Sequence, residues 1–320
     1  MRDESYLVTG GGGFIGSHLV DALLARGKRV RVLDNFATGR RANLAHVSDD
    51  IELIEGDLRS YERVHTAVAG CDVVLHLGAL PSVPRSIQDP LTTNAVNVTG
   101  TLNVLLASRD AGVRRAVFAS SSSVYGPTRV MPKAEQMQAR PASPYGVSKL
   151  AAEQYFVACN DVYEIESVAL RLFNVFGPRQ DPTSQYSAVV PLLIDAALRR
   201  TRPTIFGDGT QSRDFTYVAN VVDAFQLAAT SQEAVGQVLN VAGGERHTLN
   251  DLVEQVSHAA GSTLEPRYAE PRIGDIPHSL ADISKARQVL GYAPSVDFAE
   301  GVNKTVAWMR DELKASHRSV

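Results

Sequence analysis

Cysteine is scarce in this chain: Cys71 and Cys159 allow at most one bridge, and 320 residues can bury a core without it. A disulfide-built secreted scaffold is therefore disfavoured, and a reducing cytoplasm is expected. Positive charge is also not in excess. The formal net charge is −3, and the Lys and Arg residues are scattered, which leaves no field for a polyanion and argues against a nucleic-acid partner. Long apolar runs are missing: a membrane helix needs roughly 20 such residues, and the longest run here, near residues 73–77, has strand length. No membrane partner is expected. Met1-Arg2-Asp3-Glu4 gives way to an apolar stretch by Tyr6, so no export signal is expected either. The histidines lack ligand spacing, which predicts no catalytic metal. Internal repeats and low-complexity tracts are absent.

What is present is an alternation. Short β-branched runs at residues 6–9, 30–34, 51–56, 73–77, 116–120 and 168–172 are separated by helical patterns at 15–26, 63–68, 96–111 and 146–159. This predicts an α/β fold, a doubly wound parallel sheet with crossover helices. Beyond Leu172, Gly177-Pro178, Asp181-Pro182 and Gly207-Asp208-Gly209 break the pattern into shorter elements. Residues 1–173 are expected to form the main domain, with 214–243 returning to it, and 174–320 to form mainly a smaller α/β lobe. Val302, Val306 and Met309 mark an amphipathic helix over 298–313.

Thr9-Gly10-Gly11-Gly12-Gly13-Phe14-Ile15-Gly16 follows the first strand directly and opens the first helix, so Gly10, Gly13 and Gly16 fall three apart. In that context glycine gives a tight turn, a close approach to a pyrophosphate and close helix–strand packing, while the helix N-terminus offers unpaired N–H groups to phosphate. Asp34 ends the second strand, where a carboxylate can bind both ribose hydroxyls and repel a 2′-phosphate, favouring NAD over NADP. Arg40 and Arg41 follow closely and read as a solvated loop. Asp57 and Leu58, beyond the third strand, are expected near the adenine.

Tyr145 and Lys149 stand four apart at the start of the long helix and share a face. An ammonium beside a phenol favours the phenolate and makes it usable as a general base. The segment Phe118-Ala119-Ser120-Ser121-Ser122-Ser123-Val124-Tyr125-Gly126 lies at the carboxyl end of an expected strand, the edge at which open α/β sheets bind ligands.

With Leu170-Arg171-Leu172-Phe173-Asn174, Ser212-Arg213-Asp214-Phe215 and Arg272-Ile273-Gly274-Asp275, these motifs resemble the extended short-chain dehydrogenase/reductase family over nearly the whole chain. The nearest likeness is to its UDP-hexose 4-epimerases, above all the branch that accepts UDP-N-acetylglucosamine. The resemblance implies NAD as cofactor and Tyr145, Lys149 and Ser121 as the catalytic residues, with the serine run leaving one position of ambiguity. To the coenzyme contacts it adds Phe14, Ile15, Asn35, Leu77, Ala79, Asn97 and Ser120. Family dehydratases and decarboxylases carry a carboxylate just before V-Y-G, where this chain has Ser122 and Ser123. Reversible oxidation and reduction at a sugar carbon is what remains.

On the substrate side the resemblance implies a diphosphate clamp of Arg213 and Arg272, whose guanidinium groups suit phosphate. It implies Asp275 on ribose, Ile205 and Phe206 on uracil, Asn174 near the phosphates, and further contacts from Ser82, Ser122, Ser123 and Val189. Ser279 falls where a small residue admits an acetamido group and a Tyr excludes it. Asp181 replaces the Arg that follows the Gln in uronate epimerases, which argues against a uronate; Pro81 departs from the Gly or Lys expected in its loop. A dehydratase, a decarboxylase, a UDP-glucuronate epimerase and an NAD-binding regulatory protein are the competing readings. A homodimer through the helices at 96–111 and 146–159 is expected from the same resemblance.

Overall fold

The computed structural model describes residues 4–182, 188–271 and 277–318. Strands β1 (Ser5–Thr9), β2 (Arg29–Asp34), β3 (Ile51–Glu55), β4 (Val73–His76), β5 (Arg115–Ser121) and β6 (Glu166–Leu172) join the strand Val238–Val241 in one seven-stranded sheet. Its order is Val238–Val241, β6, β5, β4, β1, β2, β3, with every neighbouring pair parallel. A parallel sheet covered on both faces needs strands that are apolar throughout. Every residue of β1, β4 and β5 is buried accordingly.

Helices cover the two faces. On one side α1 (Phe14–Leu24) packs with the helix Val218–Thr230 over Leu19, Val32, Leu75, Val117 and Phe225. On the other lie α2 (Tyr61–Val68), α5 (Gly100–Asp110) and α6 (Pro144–Tyr163), over Leu7, Val74, Phe118 and Phe156. Between α2 and α5 come two short helices, α3 (Val83–Gln88) and α4 (Pro90–Asn94). Strand order turns back between β1 and β4, and a crevice opens at such a reversal beyond the carboxyl ends of the strands. The glycine loop and the 77–82 loop both leave the sheet there.

Two departures from the sequence reading concern helices. Residues 80–86 read as a loop, yet α3 begins within them and α4 follows it, each started by a side-chain cap (Ser82 accepting from Arg85 N, Asp89 from Thr92 N) and a proline in the first turn. Caps rather than apolar periodicity specify such short helices, so a periodicity search misses them. The helix read over 96–111 opens with a π turn, Ala95–Thr99, and is regular only from Gly100.

A third core, with Phe176, Leu193, Ile205, Phe215, Leu252 and Val306, lies under the helices Val189–Arg199, Leu249–Ala260 and Phe298–Arg318. Val302, Val306 and Met309 of the last helix are buried, as their spacing predicts. Asp214 fastens this region to the sheet. Its buried carboxylate accepts from Gly243 N (2.9 Å) and Gly244 N (3.2 Å) beyond Val238–Val241, and from Ala281 N (3.1 Å).

Candidate active site

Gly10 has φ +71°, a conformation glycine adopts freely, and a Cβ there would lie 2.8 Å from Gly78 N. At Gly16 a Cβ would lie 2.1 Å from Gly10 O, so α1 seats directly on the turn only because both positions lack a side chain. Gly13 is the N-cap and offers no side-chain cap to the helix that begins at Phe14. The first-turn N–H groups, Ile15 and Gly16 among them, and the positive end of the helix dipole therefore face the crevice without a capping acceptor. This cradle fits a pyrophosphate.

Asp34, at the end of β2, is buried and accepts from Gly12 N (2.8 Å) and Phe36 N (2.7 Å); burial pushes its carboxyl up. Arg41 stacks over Phe36 and pairs with Glu55, while Arg40 pairs with Asp181. Both arginines are thus engaged by carboxylates beside the expected ribose. The Arg40 pair also places Asp181 on the coenzyme side, because its loop rests on α1 through His18–Pro178 O (2.9 Å) and Arg179–Asp21 (2.7 Å). The structure therefore does not place this carboxylate where it was expected to repel a uronate. Asp57 is held by Arg59 and Asn35, and chiefly the Arg59 hydrogen bonds bring it down to about 2. Leu58 is buried between Gly78 and Gly100, and Leu77 and Ala79 are half-buried just beyond β4.

Two side chains expected at the coenzyme are committed elsewhere. Asn97 accepts from Leu80 N (2.8 Å) and donates to Leu80 O (3.2 Å) and Ser148 Oγ (3.0 Å), so it ties the 77–82 loop to α6. Ser120 donates to Glu153 (2.6 Å), which in turn is paired with Arg171 (2.6 Å) inside the protein. A contact of Ser120 with a coenzyme is then left to its main chain or to the acceptor lone pairs of its hydroxyl. Because successive residues of a strand face opposite ways, Ser121 points away from that pair. Its hydroxyl acts on the Tyr145 phenol, whereas that of Ser120 is engaged by Glu153.

Tyr145 lies in the first turn of α6, which Ser143 caps by accepting from Gly146 N, and its own N–H donates to Ser86 Oγ (3.0 Å). One turn on, Lys149 is buried, donates to Ala119 O (2.9 Å) and lies over the Phe118 ring. Burial governs both groups. It pushes the Tyr145 phenol up, against the Ser121 hydrogen bond, and pulls the Lys149 ammonium down to about 7. The expected downward pull of Lys149 on Tyr145 is therefore outweighed in the free protein, where burial disfavours the charged form of each group.

Around this pair, Ser122 and Ser123 form the 3-10 turn Ser122–Tyr125, and Ser123 N donates to Ser121 Oγ (3.1 Å). Ser82 caps α3 at the crevice edge. Asn174 donates to Asp214 O (3.0 Å), and Arg213 to Ser212 O (2.9 Å) and Pro277 O (3.2 Å). Ser279 is buried, its N–H donating to Ser212 O (3.0 Å). Ile205 and Phe206 lie on the strand Thr204–Phe206, paired in parallel with Arg267–Ala269; Phe206, Gln211, Tyr268, Pro277 and His278 line a cleft of about 770 Å³. Val189 begins the helix Val189–Arg199. Arg272 and Asp275 lie outside the described residues. Ser86 and Ser148, which hold Tyr145 and Asn97, were not anticipated; lone serines in helices carry no distinguishing signal.

Three relatives are similar to this chain over nearly its whole length. A UDP-glucose 4-epimerase of Mycolicibacterium smegmatis is 41% identical over 96% of this chain and 98% of its own. The structure of a UDP-N-acetylglucosamine 4-epimerase from Methanobrevibacter ruminantium, in complex with UDP-N-acetylmuramic acid, superposes with a TM-score of 0.93 at 40% identity, covering 98% of this chain and 100% of that one. A Thermus thermophilus UDP-glucose 4-epimerase in complex with NAD gives a TM-score of 0.87 at 39% identity, over 96% and 99%. The family model described as the NAD dependent epimerase/dehydratase family matches residues 6–242. With a pyrophosphate cradle, a buried lysine under a tyrosine and agreement along the whole length, this chain belongs to the NAD dependent epimerase/dehydratase family.

Proposed function

We propose that this enzyme inverts C4 of a UDP-hexose, with NAD held through turnover. The observation that carries the reading is Tyr145 in the first turn of α6, with Lys149 buried one turn behind it against the end of β5, where the serine run begins. NAD supplies a reversible hydride acceptor for C4, which takes the sugar through a 4-keto form. Tyr145 takes and returns the O4 proton, and Ser121 orients the hydroxyl. Lys149 would hold the coenzyme ribose, and in its charged form it would support the phenolate of Tyr145. Arg213, with Arg272, clamps the diphosphate so that the keto sugar can turn without leaving; Asn174, Asp275, Ile205 and Phe206 hold the rest of the nucleotide.

In this reading residues 1–173 and 214–243 hold NAD, and most of 174–320 holds the sugar nucleotide. The setting is cytoplasmic, consistent with two free buried cysteines. Exposed Val147, Tyr155 and Val162 along α6 support pairing with a second copy.

Incubation with UDP-glucose, UDP-N-acetylglucosamine and UDP-glucuronate separately, with products resolved by NMR, tests the reading. The expected products are the C4 epimers of the first two without net NADH. A dehydrated or decarboxylated product overturns it. UDP-glucuronate belongs in the set because Asp181 faces Arg40. Ser279→Tyr is expected to abolish turnover of UDP-N-acetylglucosamine and spare UDP-glucose, because the added ring would take the place of the acetamido group. Equal loss on both substrates would sink the gate.

A further inference from the structure

Beneath the glycine loop a buried hydrogen-bond chain has one allowed direction. Gly78 N donates to Thr9 Oγ1 (3.1 Å), Thr9 Oγ1 is 2.6 Å from His76 Nδ1, His76 Nε2 is 2.9 Å from Thr101 Oγ1, and Thr101 Oγ1 donates to Asn97 O (2.6 Å). The Thr101 proton is spent on Asn97 O, so Thr101 must accept from His76 Nε2–H. A neutral imidazole then accepts at Nδ1, which fixes the Thr9 proton toward it. His76, Thr9 and Thr101 are all shut from water, so a reversal would strand a buried donor. Burial and the nearby Lys149 bring the imidazole down to about 3, in keeping with the neutral form.

The chain runs between working parts. Thr9 immediately precedes Gly10, and Gly78 is the backbone against which Gly10 closes. At the far end the Asn97 side chain clasps Leu80 and donates to Ser148 Oγ, which donates to Tyr145 O (2.8 Å). We infer that His76 and Thr9 are positioning residues, a fixed relay that sets the spacing of the glycine loop from the 77–82 loop and links it to the turn carrying Tyr145. His76 also stacks on Phe118 and Phe156, the first of which lies under Lys149. Neither residue touches substrate in this role.

The inference rests on NAD as the coenzyme but not on the epimerase reading, so its test measures binding. Full-length wild type, Thr9→Val, Thr9→Ser and His76→Phe are stripped of coenzyme and titrated with NAD and, separately, with UDP. Thr9→Val and His76→Phe are expected to weaken NAD binding about tenfold, on the order of one lost buried hydrogen bond. UDP affinity is expected to stay unchanged, and Thr9→Ser, which keeps the hydroxyl, to restore NAD binding. Unaltered NAD affinity in Thr9→Val overturns the relay. A parallel fall in NAD and UDP affinity, or no rescue by serine, also overturns it, because either outcome assigns the network to general support of the fold.

Discussion

Tyr145→Phe lowers kcat by about two to four orders of magnitude, the usual worth of a positioned acid–base group, while the purified protein still holds NAD. The substitution deletes one oxygen and leaves the ring in place. The helix cap from Ser143 and the N–H bond to Ser86 involve main-chain donors of α6 and survive it. Lost with the oxygen are the bond to Ser121 and the acceptor of the substrate proton. The cradle between Gly10 and Gly16 is untouched, so coenzyme content separates lost chemistry from lost binding. Rapid-quench turnover beside the absorbance of released NAD makes the comparison; near-native turnover would remove Tyr145 from its role.

Lys149→Met is expected to cost about a hundredfold or more in turnover and, in coenzyme-free protein, to raise stability at neutral pH. An unfolded lysine keeps its proton to about 10.4, whereas burial brings the folded one down to about 7. Between those values the unfolded chain binds more protons, so wild-type stability rises with pH across the window. Below about 7 both states are protonated and the whole cost of burying the charge is present. Methionine removes that cost and flattens the slope. Thermal melts of the stripped proteins at pH 7 and pH 9 check this; a variant that melts lower at pH 7 with an unchanged slope refutes it. A site that sacrifices stability for a charge is one built for chemistry.

Much of this was legible because its determinants are local. The glycine loop declares itself through its place between a strand and a helix, Asp34 through its position at a strand end, and the Tyr145/Lys149 pair through helical spacing. What escaped depends on partners distant in sequence. Ser120 and Ser121 differ only because Glu153, on α6, occupies one side of β5. Asp181 has one meaning facing a sugar and another facing Arg40, and nothing in its own segment says which. The shift of Lys149 is a property of an enclosure, so helical spacing alone did not show that burial pushes Tyr145 up and Lys149 down in the free protein.

The stretch bearing Ser279 is stitched on several sides: Ser212 N donates to Pro277 O (2.9 Å), Lys133 N to Leu280 O (2.8 Å), and Ala281 N to Asp214. On the ribbon's own side these seams use main-chain atoms, with the Asp214 carboxylate as a side-chain partner, so the bonds that hold the ribbon do not depend on the side chain at 279. Under the proposed gate, substrate breadth would turn on that one side chain, with the main-chain bonds of the loop left in place.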